Sequence, residues 1–132
     1  MNKFLKKDYD IKIKKFFHKN KMEPLPFQIE SWSSFLNGEN GIIQVPTGCG
    51  KTYAALMGPL FKWIQYKDII GLNILLITPL KALSRDIEKA IISASAYFDK
   101  SITVGIRNGD TSPYERKKQL SKPPNILITT PE

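Results

Sequence analysis

Four short, almost continuously apolar runs constrain this chain most: Gly41–Val45, Asn73–Thr78, Ile102–Ile106 and Asn125–Thr129. Each is rich in Ile, Leu, Val or Thr and suits a strand buried on both faces. The stretches between them place apolar residues at helical spacing. Helices are predicted near Asp10–Asn20, from Phe27 to Leu36, from Lys51 to about Tyr66 with a kink at Gly58-Pro59, from Leu80 to Phe98, and from Pro113 to Leu120. Apolar strands alternating with helices predict an α/β fold, a parallel sheet covered by helices on both faces.

The chain has 132 residues, room for about one domain. With 42% apolar residues it can bury a core, which excludes a wholly disordered or fibrous chain. The net charge is +8, but Met1 to Lys21 alone holds eight lysines and two aspartates, so most of the excess is local. Two segments are expected: a Lys-rich helical extension over 1–23 and a domain over 24–132. No apolar run approaches the ~18 residues that cross a bilayer, and the N-terminus lacks the apolar stretch and cleavage site of a secretory signal. Cys49 is the one cysteine. These features lead to the expectation of a cytoplasmic protein with no membrane partner.

Ligands of open α/β sheets bind beyond the carboxyl ends of the strands, which draws attention to Val45-Pro46-Thr47-Gly48-Cys49-Gly50-Lys51-Thr52. Gly48 and Gly50 let backbone N–H groups approach phosphate oxygens, and the helix that follows adds its positive end. Lys51 can reach the outer phosphates, and the Thr52 hydroxyl can join the oxygen shell of Mg²⁺. The full phosphate-loop pattern asks for Gly where Val45 stands. A β-branched residue resists positive φ, so the chain must stay extended through Val45 and turn afterwards. Cys49 fits as a small side chain between the two glycines. Trp32 and Trp63 fall at helical apolar positions and read as packing residues, and Glu115 to Lys118 reads as a solvated helical face.

Taken in order, Pro26-Phe27-Gln28, Thr47 to Thr52, Thr78-Pro79-Leu80-Lys81-Ala82-Leu83 with Asp86, Gly109-Asp110-Thr111 with Glu115-Arg116, and Thr129-Thr130-Pro131-Glu132 resemble superfamily 2 DEAD/DExH-box helicases. The likeness is greatest to the large helicase-related (Lhr) branch and its bacterial ligase-associated members. It spans about Pro24 to Glu132 and implies a RecA-like P-loop domain, incomplete at its C-terminal end.

The resemblance implies ATP and Mg²⁺ as cofactors. Gln28 would read the adenine edge, Thr47, Gly48, Cys49, Gly50, Lys51 and Thr52 would cradle the phosphates, Lys51 would act in catalysis, and Thr52 would hold the metal. Thr78, Pro79, Leu80 and Lys81, then Gly109, Asp110 and Thr111, then Thr129, Thr130, Pro131 and Glu132 would line a single-stranded nucleic-acid track, DNA favoured over RNA. The family's Asp-Glu-x-His segment does not occur in the sequence. That carboxylate pair and a second RecA-like domain with its arginine complete the family's ATPase site. The expectation is therefore the N-terminal ATP-binding part of a helicase related to DNA repair, which needs the remainder of its own chain and which alone binds nucleotide weakly and does not unwind. A non-catalytic nucleotide- or nucleic-acid-binding module stays open as the alternative, and the sequence is silent on oligomeric state.

Overall fold

The computed structural model describes residues 3–64, 70–79, 81–99 and 101–131, with side chains from residue 11 onward except those of 64 and 81–84. The chain divides into two compact units, Met1–Gln65 and Tyr66–Glu132. None of its described helices is long and apolar enough to cross a membrane.

The first unit contains three helices, α1 (Lys3–Lys19), α2 (Pro26–Leu36) and α3 (Lys51–Ile64). Two of them end in the same hydrogen-bonded turn. After α1, Met22 N–H bonds to Phe17 O and Lys21 N–H to His18 O; after α2, Glu39 N–H bonds to Ser34 O and Gly38 N–H to Phe35 O. Both are Schellman turns, which need one left-handed residue. Gly38 (φ 82°) supplies it for α2, whereas α1 uses Lys21 (φ 56°). Pro26 starts α2, where a missing N–H costs nothing. Helix α3 runs through Gly58-Pro59 as one element, so the predicted kink does not divide it. Gly58 lies on the face toward α2, where an added Cβ would meet Phe35 Cδ1 at 3.1 Å.

The core of this unit joins Ile13, Phe16 and Phe17 of α1 to Trp32 of α2 and to Ala54, Leu56, Met57, Leu60 and Phe61 of α3, all buried. The N-terminal helix is thus Lys-rich on its outer face and aromatic on its inner one. Each fully buried large side chain contributes roughly 1.5–3 kcal/mol. Gly41–Val45, predicted as a strand, has no ladder partner among the described residues, and Ile42 is 95% exposed. The described part of the first unit holds no strand, so the segment takes part in no ladder there.

The second unit carries β1 (Ile74–Ile77), α4 (Lys81–Phe98), β2 (Val104–Arg107), α5 (Pro113–Ser121) and β3 (Ile126–Thr129). The three strands form a parallel sheet, as the alternating pattern predicts, and the structure sets their order as β1-β3-β2. Ile74 pairs with Ile126 and Ile77 with Thr129, while Val104 pairs with Ile126 and Arg107 with Thr129. The central strand is the most buried, with Ile126 and Ile128 packed inside together with Ile91 and Ala94 of α4. Gly105 permits a close approach on the α5 side: a Cβ there would stand 2.9 Å from Pro124 Cγ. At the amino ends of the strands, Asn125 ties three segments together. Its Oδ1 accepts from Thr103 N–H and Thr103 Oγ1, and its Nδ2 donates to Gly71 O.

Candidate nucleotide and nucleic-acid sites

The phosphate loop turns where Val45 forces it to. Thr47 and Gly48 form the turn, and Gly48 and Gly50 take φ values of 82° and 80°, which only glycine adopts without strain. Helix α3 then begins at Lys51, with Ala54 N–H bonded to Gly50 O. The N–H groups of the first α3 residues have no acceptor within the helix, and the helix dipole adds positive potential at that end. Lys51 Nζ donates to Val45 O at 3.0 Å, folding the cation back across the loop it would serve. Among the described residues no three His, Cys, Asp or Glu side chains converge as metal ligands.

Gln28 is buried at 2% exposure and each end of its amide bonds once to the protein. Oε1 accepts from Leu25 N–H at 2.8 Å, closing the start of α2, and Nε2 donates to Gly50 O at 2.9 Å. Gly50 O therefore accepts from both Ala54 N–H and Gln28. Each end of the Gln28 amide keeps one further bonding capacity. The resemblance implies Gln28 and the phosphate loop in one site; the bond from Gln28 to Gly50 O, between residues 22 apart, is what the structure adds.

A cavity of about 430 Å³ lies nearby, lined by Phe27, Ser31 and Phe35 of α2, by Ile43 and Val45, and by Ala54. Neither Gln28 nor the two loop glycines line it. It borders the Gly41–Val45 segment and is not the phosphate cradle.

In the second unit, the parallel sheet gathers three predicted segments at one end. Beyond β1, Thr78 is buried and its N–H continues the ladder to Thr129 O at 2.8 Å. Pro79 beside it is exposed. Leu80 and Glu132 lie outside the described residues, as does the side chain of Lys81, whose backbone opens α4. At the end of β3, Thr129 Oγ1 donates to Arg107 O at 2.7 Å; beyond it Pro131 is exposed, and the buried Thr130 Oγ1 has no hydrogen-bond partner among the described residues.

Beyond β2, the loop Asn108–Thr111 is fixed from within and from α5. Asn108 N–H donates to Thr111 Oγ1, Asp110 N–H donates to Asn108 Oδ1, and Gly109 and Asp110 remain exposed. Arg116 Nε donates to Thr111 O at 2.9 Å and its Nη2 to Asn108 O at 2.8 Å. The charge-run reading is corrected here: Arg116 is a staple for the loop, while the neighbouring Glu115 and Lys118 form a loose exposed pair at 3.9 Å. Trp32, by contrast, is the packing residue its spacing predicts.

Over residues 25–132 the sequence matches the DEAD/DEAH box helicase family. The chain belongs to that family. It is 36% identical over 121 residues to an Lhr helicase and probable uracil glycosylase of Mycolicibacterium smegmatis, covering 83% of this chain and 8% of that protein. It is 43% identical over 105 residues to an ATP-dependent helicase Lhr-Core of Sulfolobus acidocaldarius, covering 72% of this chain and 12% of the relative. The solved structure of the Mycobacterium smegmatis helicase Lhr bound to ssDNA and AMP-PNP superposes with a TM-score of 0.76 at 35% identity, covering 89% of this chain and 16% of that one. This DEAD/DEAH box helicase chain thus spans about a tenth of the length of these curated relatives. The predicted likeness to the Lhr branch and the RecA-like α/β fold, incomplete as a domain, both stand.

Proposed function

We propose that this chain is the N-terminal ATP-binding part of an ATP-dependent nucleic-acid helicase or translocase related to DNA repair, acting in the cytoplasm. The observation that carries the proposal is the loop geometry, two glycines at positive φ delivering Lys51 and Thr52 to the start of α3. The matched relatives, named as ATP-dependent helicases, support it.

In this reading Gly48, Cys49 and Gly50 present backbone N–H groups to phosphate oxygens, with Thr47 at the rim. Lys51 exchanges its bond to Val45 O for the outer phosphates and neutralises charge there. Gln28 offers its remaining amide capacity to adenine. The Thr52 hydroxyl would help hold Mg²⁺, which would supply charge neutralisation for the phosphates. Thr78 to Lys81, Gly109 to Thr111 and Thr129 to Glu132 grip single-stranded DNA through hydroxyls and backbone groups at the carboxyl end of the sheet. Residues 1–23 form the N-terminal extension and 24–132 the first part of the ATP-binding domain. Hydrolysis and unwinding require the remainder of the helicase, including a second RecA-like domain. One arginine from such a domain is worth roughly 10³–10⁵ in rate in related NTPases.

The test is titration of the purified chain with a fluorescent ATP analogue and Mg²⁺. Weak binding is expected, lost in Lys51→Ala and competed by ATP in preference to GTP. Preference for GTP removes the Gln28 assignment, and efficient ATP turnover by these 132 residues removes the dependence on further domains.

A further inference from the structure

Tyr53 follows Thr52 directly in the first turn of α3, and aromatic groups from both preceding helices converge on it. Its ring stands edge-on to Phe16 at 5.8 Å and to Phe17 at 5.5 Å. Its carbonyl accepts a hydrogen bond from Trp32 Nε1 at 2.9 Å, and Phe17 meets the Trp32 ring at 5.6 Å. Phe16, Phe17 and Trp32 are all buried to within 2%.

Trp32 lies one turn beyond Gln28 on α2, so both side chains project from the same helix face. Gln28 holds the carbonyl of Gly50 and Trp32 holds the carbonyl of Tyr53. The two anchors bracket Lys51 and Thr52, fixing the backbone on either side of the residues that face phosphate. Helix α1 meets this turn through Phe16 and Phe17. It presses two rings onto the side chain of the residue whose carbonyl the second anchor holds.

We propose that α1 is a positioning element for the phosphate loop, with Phe17 as its principal residue: it wedges Tyr53 and thereby sets the direction of the Lys51 and Thr52 N–H groups. The segment that composition marks as a charged extension then belongs to the nucleotide-binding machinery through its aromatic face. The effect on nucleotide rests on the ATP-site reading above, whereas the effect on the loop backbone does not.

The experiment measures amide hydrogen exchange at residues 51–54 and affinity for a fluorescent ATP analogue with Mg²⁺, both on the whole chain. Phe17→Ala is expected to speed exchange at these amides roughly tenfold and to weaken nucleotide binding roughly tenfold. Tyr53→Ala, which removes the other half of the contact from a less buried position, is expected to do the same if Phe17→Ala fails to fold. Tyr53→Phe keeps the ring and the carbonyl and is expected to match the parent. Ile91→Ala, an equally buried truncation in the second unit, controls for general loosening. Unchanged exchange at 51–54 in the ring-deleting variants, or equal acceleration in Ile91→Ala, overturns the proposal. So does parental nucleotide affinity in a folded Phe17→Ala chain. If the parent chain binds no nucleotide, the ATP-site reading fails and the exchange rates alone decide the positioning role.

Discussion

Gln28 Nε2 donates to the carbonyl of Gly50 at 2.9 Å, and a Cβ placed on Gly50 would come within 2.5 Å of that same nitrogen. The glycine is therefore required twice, once for its φ of 80° and once for the approach of a buried amide. Gly48 shares the conformation, with φ 82°, but nothing lies within 4 Å of its added Cβ.

This contrast predicts unequal costs for the same substitution. Gly48→Ala carries only the left-handed backbone penalty, about 1–2 kcal/mol. Gly50→Ala adds displacement of the Gln28 amide from its carbonyl and should cost roughly 2–4 kcal/mol. Urea unfolding of the two variants reads the difference directly. Equal loss in both would mean that the Gln28 contact has no energetic weight.

The end of α1 offers a gain instead of a loss. Lys21 occupies the left-handed position of a Schellman turn at φ 56°, where α2 uses glycine. Lys21→Gly removes the Cβ penalty while leaving both turn hydrogen bonds to the backbone. It is expected to stabilise the chain by about 0.5–1 kcal/mol, seen as a higher urea midpoint at unchanged slope. A lower midpoint would show that the lysine side chain repays its backbone strain.

Arg116 ties the Asn108–Thr111 loop to α5 through two neutral carbonyls. Hydrogen bonds from a charged donor are worth roughly 1.5–3 kcal/mol each at most, and this pair is part-buried. Arg116→Ala should cost about 2 kcal/mol and speed amide exchange at Asp110 and Thr111. Arg116→Lys should recover little, since an ammonium lacks the planar fork that reaches both oxygens. The cost should hardly change with salt, because the partners carry no formal charge. A strong salt dependence would return Arg116 to the solvated charge run.

The parts of the fold that were legible in the sequence are those fixed by local pattern. β-branched runs bounded by polar turns located β1, β2 and β3, and helical periodicity located the five helices to within a few residues, apart from the start of α1. Gly41–Val45 has the same local character, yet a strand exists only where a neighbour takes its backbone groups, and its composition carries no information about that neighbour. The sites divide in the same way. Gly48 and Gly50 announced their backbone geometry through residue type. The Gln28–Gly50 bond, the Trp32–Tyr53 bond and the rings of Phe16 and Phe17 on Tyr53 join residues 21 or more apart, and no spacing rule foretells them. Arg116 was hidden among lysines of the same charge, and only its two carbonyl partners distinguish it.

Asp99 supplies a test by pH. Its Oδ1 accepts from the Ser101 backbone N–H at 2.8 Å and from the Ser101 hydroxyl at 2.7 Å. These bonds favour the charged carboxylate and hold its pKa below the ordinary 3.8, the backbone bond first and the hydroxyl second. The unfolded chain takes up the proton at a higher pH than the folded one. The stabilisation is therefore complete above the unfolded value and disappears as pH falls through the folded one. Asp99→Asn should lower the unfolding midpoint near neutral pH, and the gap to the parent should close on acidification below the usual carboxylate range. Carbon NMR titration of the Asp99 carboxyl should show the depressed pKa, and Ser101→Ala should raise it by removing one of the two donors. A gap that stays constant with pH would mean that the charge of Asp99 does not matter to its turn.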